Sequence, residues 1–106
     1  MTKEMRRTIL KIRILMSIKK KKTYAYAILK EFGSGSFANF IGGQIKNDIY
    51  NSLSALEKSG YIKHSVKVTR NGVKKYYSIT AKGMKTSKNL KKAFKESIGY
   101  AMKMLR

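Results

Sequence analysis

Asn47, Asn51 and Ser54 recur at helical spacing as short, uncharged side chains that both donate and accept hydrogen bonds. Such groups suit the edges of nucleobases, because asparagine can pair with adenine through two hydrogen bonds at once. A plain solvated helix face is the alternative. Lys46 and Lys58 flank them with charges suited to phosphate, and Tyr50 stands at the border of the same face. Further along, Lys67, Arg70, Asn71, Lys74 and Lys75 gather around one predicted turn. That cluster fits a sugar-phosphate backbone, and a narrow minor groove would attract Arg70 most. Lysines that keep an edge strand from aggregating are the competing explanation.

Bond-making chemistry is not indicated. The five acids are scattered singly, no nucleophile stands beside a base, and Gly33-Ser34-Gly35 and Gly42-Gly43 match no phosphate-cradling loop. The single histidine, His64, falls on the apolar-leaning side of its strand, where a satisfied core or interface role is expected. Without cysteine there is neither a disulfide framework nor a thiolate metal site. No catalytic residue, metal or other cofactor is expected, and enzyme activity is excluded.

The chain carries 25 Lys and Arg against five acids, a formal charge of +20 over 106 residues. Residues 1–22 hold nine basic residues and one acid (+8), residues 23–60 three of each (0), and residues 61–106 thirteen and one (+12). A compact chain this cationic repels itself, and duplex DNA, with about one charge per 1.7 Å of axis, relieves that repulsion best. An apolar content of 42% sets it apart from a disordered basic tail. A neutral segment between basic ends is the pattern required when backbone contacts position and base contacts specify. The charge on residues 1–22 and along the last helix exceeds the needs of one short site, which suggests an extended DNA path: a bent duplex, a second duplex, or work at high salt or temperature.

These residues need elements to hold them. Met5, Ile9, Ile12 and Met16, widened by Leu10, Ile14 and Ile18, predict a helix over 5–18 with two buried flanks. The run Lys19 to Lys22 predicts a connector, and Thr23 a cap for a second helix over 24–32 that Gly33 ends. Residues 33–46 read as a Gly/Ser-rich loop pinned by Phe37, Phe40 and Ile41. A third helix over 47–59, capped by Asn47 or Asp48 and stopped by Gly60, turns Ile45, Ile49, Leu53 and Leu56 inward. Period-two alternation over 61–69 predicts a half-buried strand, Asn71-Gly72 a type I′ hairpin turn, and Val73 to Ile79 the returning strand. From Thr80 a long helix follows, weakened by Gly83 and Gly99 by up to about 1 kcal/mol each.

Three helices, a hairpin and a long helix make a mainly α (α+β) chain in winged helix-turn-helix order, with a two-stranded wing over 61–79. Residues 1–80 are the expected winged-helix domain, and 81–106 the expected C-terminal dimerisation helix. The segments Tyr26-Ala27-Ile28-Leu29-Lys30-Glu31, Ile49 to Ile62 and Lys75 to Gly83 resemble three signature blocks of the PadR family of transcriptional regulators. The resemblance spans residues 24–83 and fits a short form with one helix after the wing. It implies a DNA-binding homodimer, usually a repressor, with Tyr26 and Tyr50 near the DNA and Tyr77 as the wing-strand tyrosine. Tyr24-Ala25 stands where the family often has histidine-glycine, and the chain has no proline near the third helix.

The expected partners are double-stranded DNA and a second copy of the chain. The copy would be met through Ile9, Ile12, Met16, Leu90, Phe94, Ile98, Met102 and Leu105. One small domain offers too little surface to cover both terminal helices. A small-molecule effector is open but unsupported. No apolar run approaches a membrane span, so no membrane partner is expected and a cytoplasmic, nucleoid-associated location is. The competing function is an architectural protein that compacts DNA with little sequence preference.

Overall fold

The computed structural model describes residues 2–105, without the side chains of Phe94, Ile98, Tyr100 and Ala101. Helix α1, Lys3–Lys20, starts where the Thr2 hydroxyl accepts the Met5 amide at 3.1 Å. It outruns the expected 5–18 at both ends. Glu4 suits the first turn, and Lys19 and Lys20 remain helical because cations are favoured beside the C-terminal carbonyls. Only Lys21 and Lys22 are left as connector. Its buried strip is Leu10, Ile14, Leu15 and Ile18, while Ile9, Ile12 and Met16 are half-buried and Met5 is exposed.

Thr23 and Tyr24 form a short strand, β1, rather than a cap. Both residue types favour extended backbone, and they pair with the returning wing strand opposite Tyr77 and Tyr76. Helix α2, Ala25–Phe32, consequently begins without a side-chain cap. The segment expected as a loop over 33–46 contains a third helix, α3, Gly35–Ile41. Its glycines lie at the ends, where Gly35 and Gly42 take φ of 82° and 69° and punctuate the helix without weakening its middle. Phe37 packs on Phe32 with ring centroids 5.5 Å apart and Ile41 is buried, whereas Phe40 faces solvent.

Helix α4, Ile45–Lys58, starts two residues before the expected 47, with Gln44 as its cap position and no side-chain cap bond. Asn47 and Asp48 therefore do not cap it; they lie in its first turn. Ile49, Leu53 and Leu56 are buried, each worth about 1.5–3 kcal/mol of apolar transfer. Gly60, at φ 81°, ends it, and the Tyr61 amide closes back on the Leu56 carbonyl at 3.0 Å.

Strands β2, Ile62–Thr69, and β3, Gly72–Ile79, form the wing, and β1 adds a third strand in the order β1-β3-β2, all antiparallel. Thr69 pairs with Gly72, so the turn residues are Arg70 and Asn71, not Asn71-Gly72. Neither has positive φ; that conformation falls on Gly72 alone, at 108°, which excludes the primed turn. The alternation on β2 is present, but only Ile62 is buried, because the ribbon runs past the helices and leaves Val66, Val68 and Val73 in solvent.

Helix α5, Ala81–Met104, opens at Thr80, whose hydroxyl accepts the Gly83 amide at 3.0 Å and donates to the Gly60 carbonyl at 2.6 Å. Gly83 and Ser87 are buried in this junction. Beyond Leu90 every described side chain of α5 is exposed. At 1.5 Å per residue the helix is about 36 Å long, and its far half extends from the body. The radius of gyration is accordingly 15.4 Å, against about 13 Å for a compact chain of this length.

Candidate nucleic-acid interface

The inner side of α4 is fixed in the core, so its other side must face outward. Asn47, Tyr50, Asn51, Ser54 and Lys58 are all exposed, as is Lys46 in the first turn. Asn47 Nδ2 donates to Gln44 Oε1 at 2.9 Å, while Asn51 and Ser54 carry no protein hydrogen bond among the described residues. A protruding, uncharged, hydrogen-bonding helix face of this kind has the width to enter a major groove.

The first turn of α4 is also held by a contact that the sequence pattern does not reveal. Arg6 on α1 forms an ion pair with Asp48 in the first turn of α4, and its Nε donates to the Gly42 carbonyl at 3.3 Å. Both side chains are mostly buried, at 16% and 17% exposure. The guanidinium lies against Gly43, whose φ of 68° favours glycine. Arg6, counted from the sequence among cations available to DNA, is thus committed to the protein. Asp48 is neutralised internally. The two residues are 42 apart, and only the fold joins them.

The wing is tied to the other end of α4. Glu57 bonds His64 Nδ1 on β2 and lies 3.7 Å from Lys75 Nζ on β3. Its carboxyl is held below the ordinary glutamate value, chiefly by the hydrogen bond with His64 and further by attraction to His64 and Lys75, against the opposing effect of burial. His64 is therefore satisfied, though by a surface acid rather than in the core; its side chain is 39% exposed. Lys75 also sits 5.4 Å from the Tyr77 ring, so it has protein partners before any ligand arrives.

Lys67, Arg70 and Asn71 are exposed toward the wing tip, and Lys74 is half-buried with its ammonium 4.7 Å from the Tyr24 ring. Lys67 pairs directly with Lys74, a like-charge juxtaposition that costs stability until an anion relieves it. Tyr26 stands exposed at 59% on α2, with Lys30 Nζ 5.4 Å from its ring. Apart from Tyr26 on α2, the predicted residues thus fall into two groups, the α4 face and the wing, joined through Glu57.

Of the residues expected to meet a second copy, Ile9, Ile12, Met16 and Leu90 are half-buried and Met102 and Leu105 exposed. The side chains of Phe94 and Ile98 lie outside the described residues. Among the described residues no helix is long and apolar enough to cross a membrane, and no cluster of three metal-ligating side chains occurs.

A helical body, an outward helix with an uncharged face and a cationic two-stranded ribbon define a winged helix-turn-helix protein. Residues 14–89 match the Transcriptional regulator PadR-like family. The chain belongs to that family, whose members are transcriptional regulators and not enzymes. In fold it is similar to a PadR-like transcription factor from Bacteroides fragilis, at 22% identity and TM-score 0.78, covering 95% of this chain and 94% of that one. It is similar also to a PadR-like regulator from Bacillus cereus, at 24% identity, TM-score 0.76 and 97% of both chains. Bacillus subtilis PadR, solved in complex with operator DNA, aligns at 23% identity and TM-score 0.64 over 77% of this chain and 45% of its own. No curated protein sequence matches the chain.

Proposed function

We propose that the protein is a homodimeric, sequence-specific DNA-binding regulator that represses by occupying its site. In this reading Asn47, Asn51 and Ser54 meet base edges in the major groove, with Tyr26, Lys46, Tyr50 and Lys58 on flanking phosphates. Lys67, Arg70, Asn71, Lys74 and Lys75 hold the backbone or minor groove through the wing.

The observation that carries this is the partition of charge on the fold. The exposed face of α4 offers uncharged hydrogen-bonding groups, and cations lie to either side of it. A protein that merely coats DNA gains from charge on that helix as well, whereas a reader of sequence does not. The family membership and the operator complex of the Bacillus subtilis relative support the same reading.

Dimerisation rests on a separate observation. Free-standing helices of fewer than about 12–15 residues are marginal in water, and every described side chain of α5 beyond Leu90 is exposed. Exposed Met102 and Leu105, with half-buried Ile9, Ile12 and Met16 on α1, supply apolar surface for a two-fold partner. A chain ending at Leu90 should sediment as a monomer.

Selection of duplexes from a random pool at about 0.15 M salt tests the function. A two-fold-symmetric motif bound about 10³-fold or more over random duplex is expected. Binding without a motif would favour an architectural protein in its place.

A further inference from the structure

The sheet has a second cationic surface, on the side turned away from α4. Glu57 of α4 meets His64 and Lys75, which share the inner face with Tyr77 and Ile79. Lys67, Lys74 and Tyr76 occupy the opposite positions of the register, and Tyr24 pairs with Tyr76 beside them. The Tyr24 and Tyr76 rings stand edge to face with centroids 5.4 Å apart, and Tyr24 and Tyr26 lie nearly parallel, at 17° and 6.4 Å. Lys74 Nζ is 4.7 Å from the Tyr24 centroid and Lys22 Nζ is 5.7 Å from that of Tyr76. Two open cavities adjoin these rings: one of about 210 Å³ between the tyrosines of β1 and α2 and Lys74, and one of about 150 Å³ between Tyr76, Lys22 and Lys67.

Each cavity therefore combines an aromatic wall with at least one ammonium group. Among the described residues Lys22, Lys67 and Lys74 have no carboxylate partner, and no acid lines either cavity. Phosphate alone would need only the lysines. A duplex hides the faces of its bases and offers a tyrosine only phosphate oxygens for its hydroxyl, whereas unpaired bases can stack on the rings themselves while lysines follow the backbone.

We infer that this outer sheet surface, built on Tyr24 and Tyr76 with Lys22, Lys67 and Lys74, is a binding site for a nucleic-acid strand with unpaired bases. It is distinct from the base-reading face of α4, Tyr24, Tyr76 and Lys22 having no part in the proposed duplex contacts, while Lys67 and Lys74 are shared with the grip of the wing on a duplex.

The test uses the full chain at about 0.15 M salt and compares a fluorescent thymidine 12-mer with an abasic 12-mer of equal charge. Loss of stacking on one ring weakens binding about 5- to 150-fold, so the thymidine strand should bind at least about 10-fold tighter than the abasic one. The double variant Tyr24→Leu/Tyr76→Leu should remove that preference and Tyr24→Phe/Tyr76→Phe keep it, with duplex selectivity unchanged in both. Equal affinity of wild-type protein for the two strands overturns the proposal, and this comparison needs no variant to fold. Loss of the thymidine preference in Asn51→Ala, with the preference intact in Tyr24→Leu/Tyr76→Leu, also overturns it, since the strand would then occupy the α4 face.

Discussion

Gly83 and Gly99 carry the same helix-propensity penalty, yet substitution by alanine should move stability in opposite directions. At Gly83 an added Cβ would overlap the Tyr61 carbonyl oxygen and come within 2.7 Å of Ile79 Cγ1. Tyr61 cannot yield cheaply, because its carbonyl accepts the Thr80 amide at 3.1 Å and so fixes the start of α5. Overpacking costs about 1–3 kcal/mol, the disturbed hydrogen bond about 1, and the gain in propensity returns about 1. The net is a loss of roughly 1–3 kcal/mol, or about 4–8 °C in Tm per kcal/mol for a domain of this size. At Gly99 nothing lies within 4 Å of the added atom, so the propensity gain stands alone and stability should rise by up to about 1 kcal/mol. Paired urea titrations and thermal melts at fixed protein concentration read both. A Gly83→Ala protein as stable as wild type would refute the close packing of α5 against Tyr61.

The remaining predictions separate reading from gripping. Asn51→Ala should relax discrimination with an unchanged salt slope, whereas Arg70→Ala should weaken all duplexes alike and lower the slope of log affinity against log salt by about 0.9; equal losses of selectivity would contradict the assigned roles. Arg6→Ala breaks the tie to Asp48 and Gly42 and should cost roughly 1–3 kcal/mol of stability and some selectivity, again with the salt slope intact, since Arg6 is bound to protein; a lowered slope would place it on phosphate. The depressed Glu57 value means that its stabilising contact is fully present above the ordinary value of 4.5 and is lost as pH falls through the lower folded value. The stability difference between wild type and Glu57→Gln should therefore be positive near pH 6 and shrink below about pH 4.5; a difference growing toward acid would have the wrong sign.

Much of this fold is legible because local signals and tertiary packing agree. The spacing of Ile49, Leu53 and Leu56 and the stop at Gly60 specify α4, and residues flanking the wing turn alternate as a ribbon must. Where sequence reasoning fails, long-range contacts decide. Glycine and serine in 33–46 suggest a loop, but Phe37 and Ile41, four apart, anchor a helix whose glycines fall at its ends. Thr23 has the chemistry of a cap, yet a partner strand 54 residues away at Tyr77 draws it into a sheet. The exposed face of α4 is readable from periodicity alone. The tie that holds its first turn is not, because the Arg6 and Asp48 pairing spans two elements, and neither is the tyrosine and lysine surface, which assembles residues from β1, α2 and the wing.

The central claim is that the uncharged face of α4 reads bases. Replacing each purine of the selected duplex in turn by its 7-deaza counterpart removes one major-groove acceptor and leaves every phosphate in place. Two symmetry-related positions about 34 Å apart should weaken wild-type binding, and those positions should fall silent in Asn51→Ala. Uniform tolerance of every 7-deaza substitution by the wild-type protein, with tight binding retained, would contradict the claim.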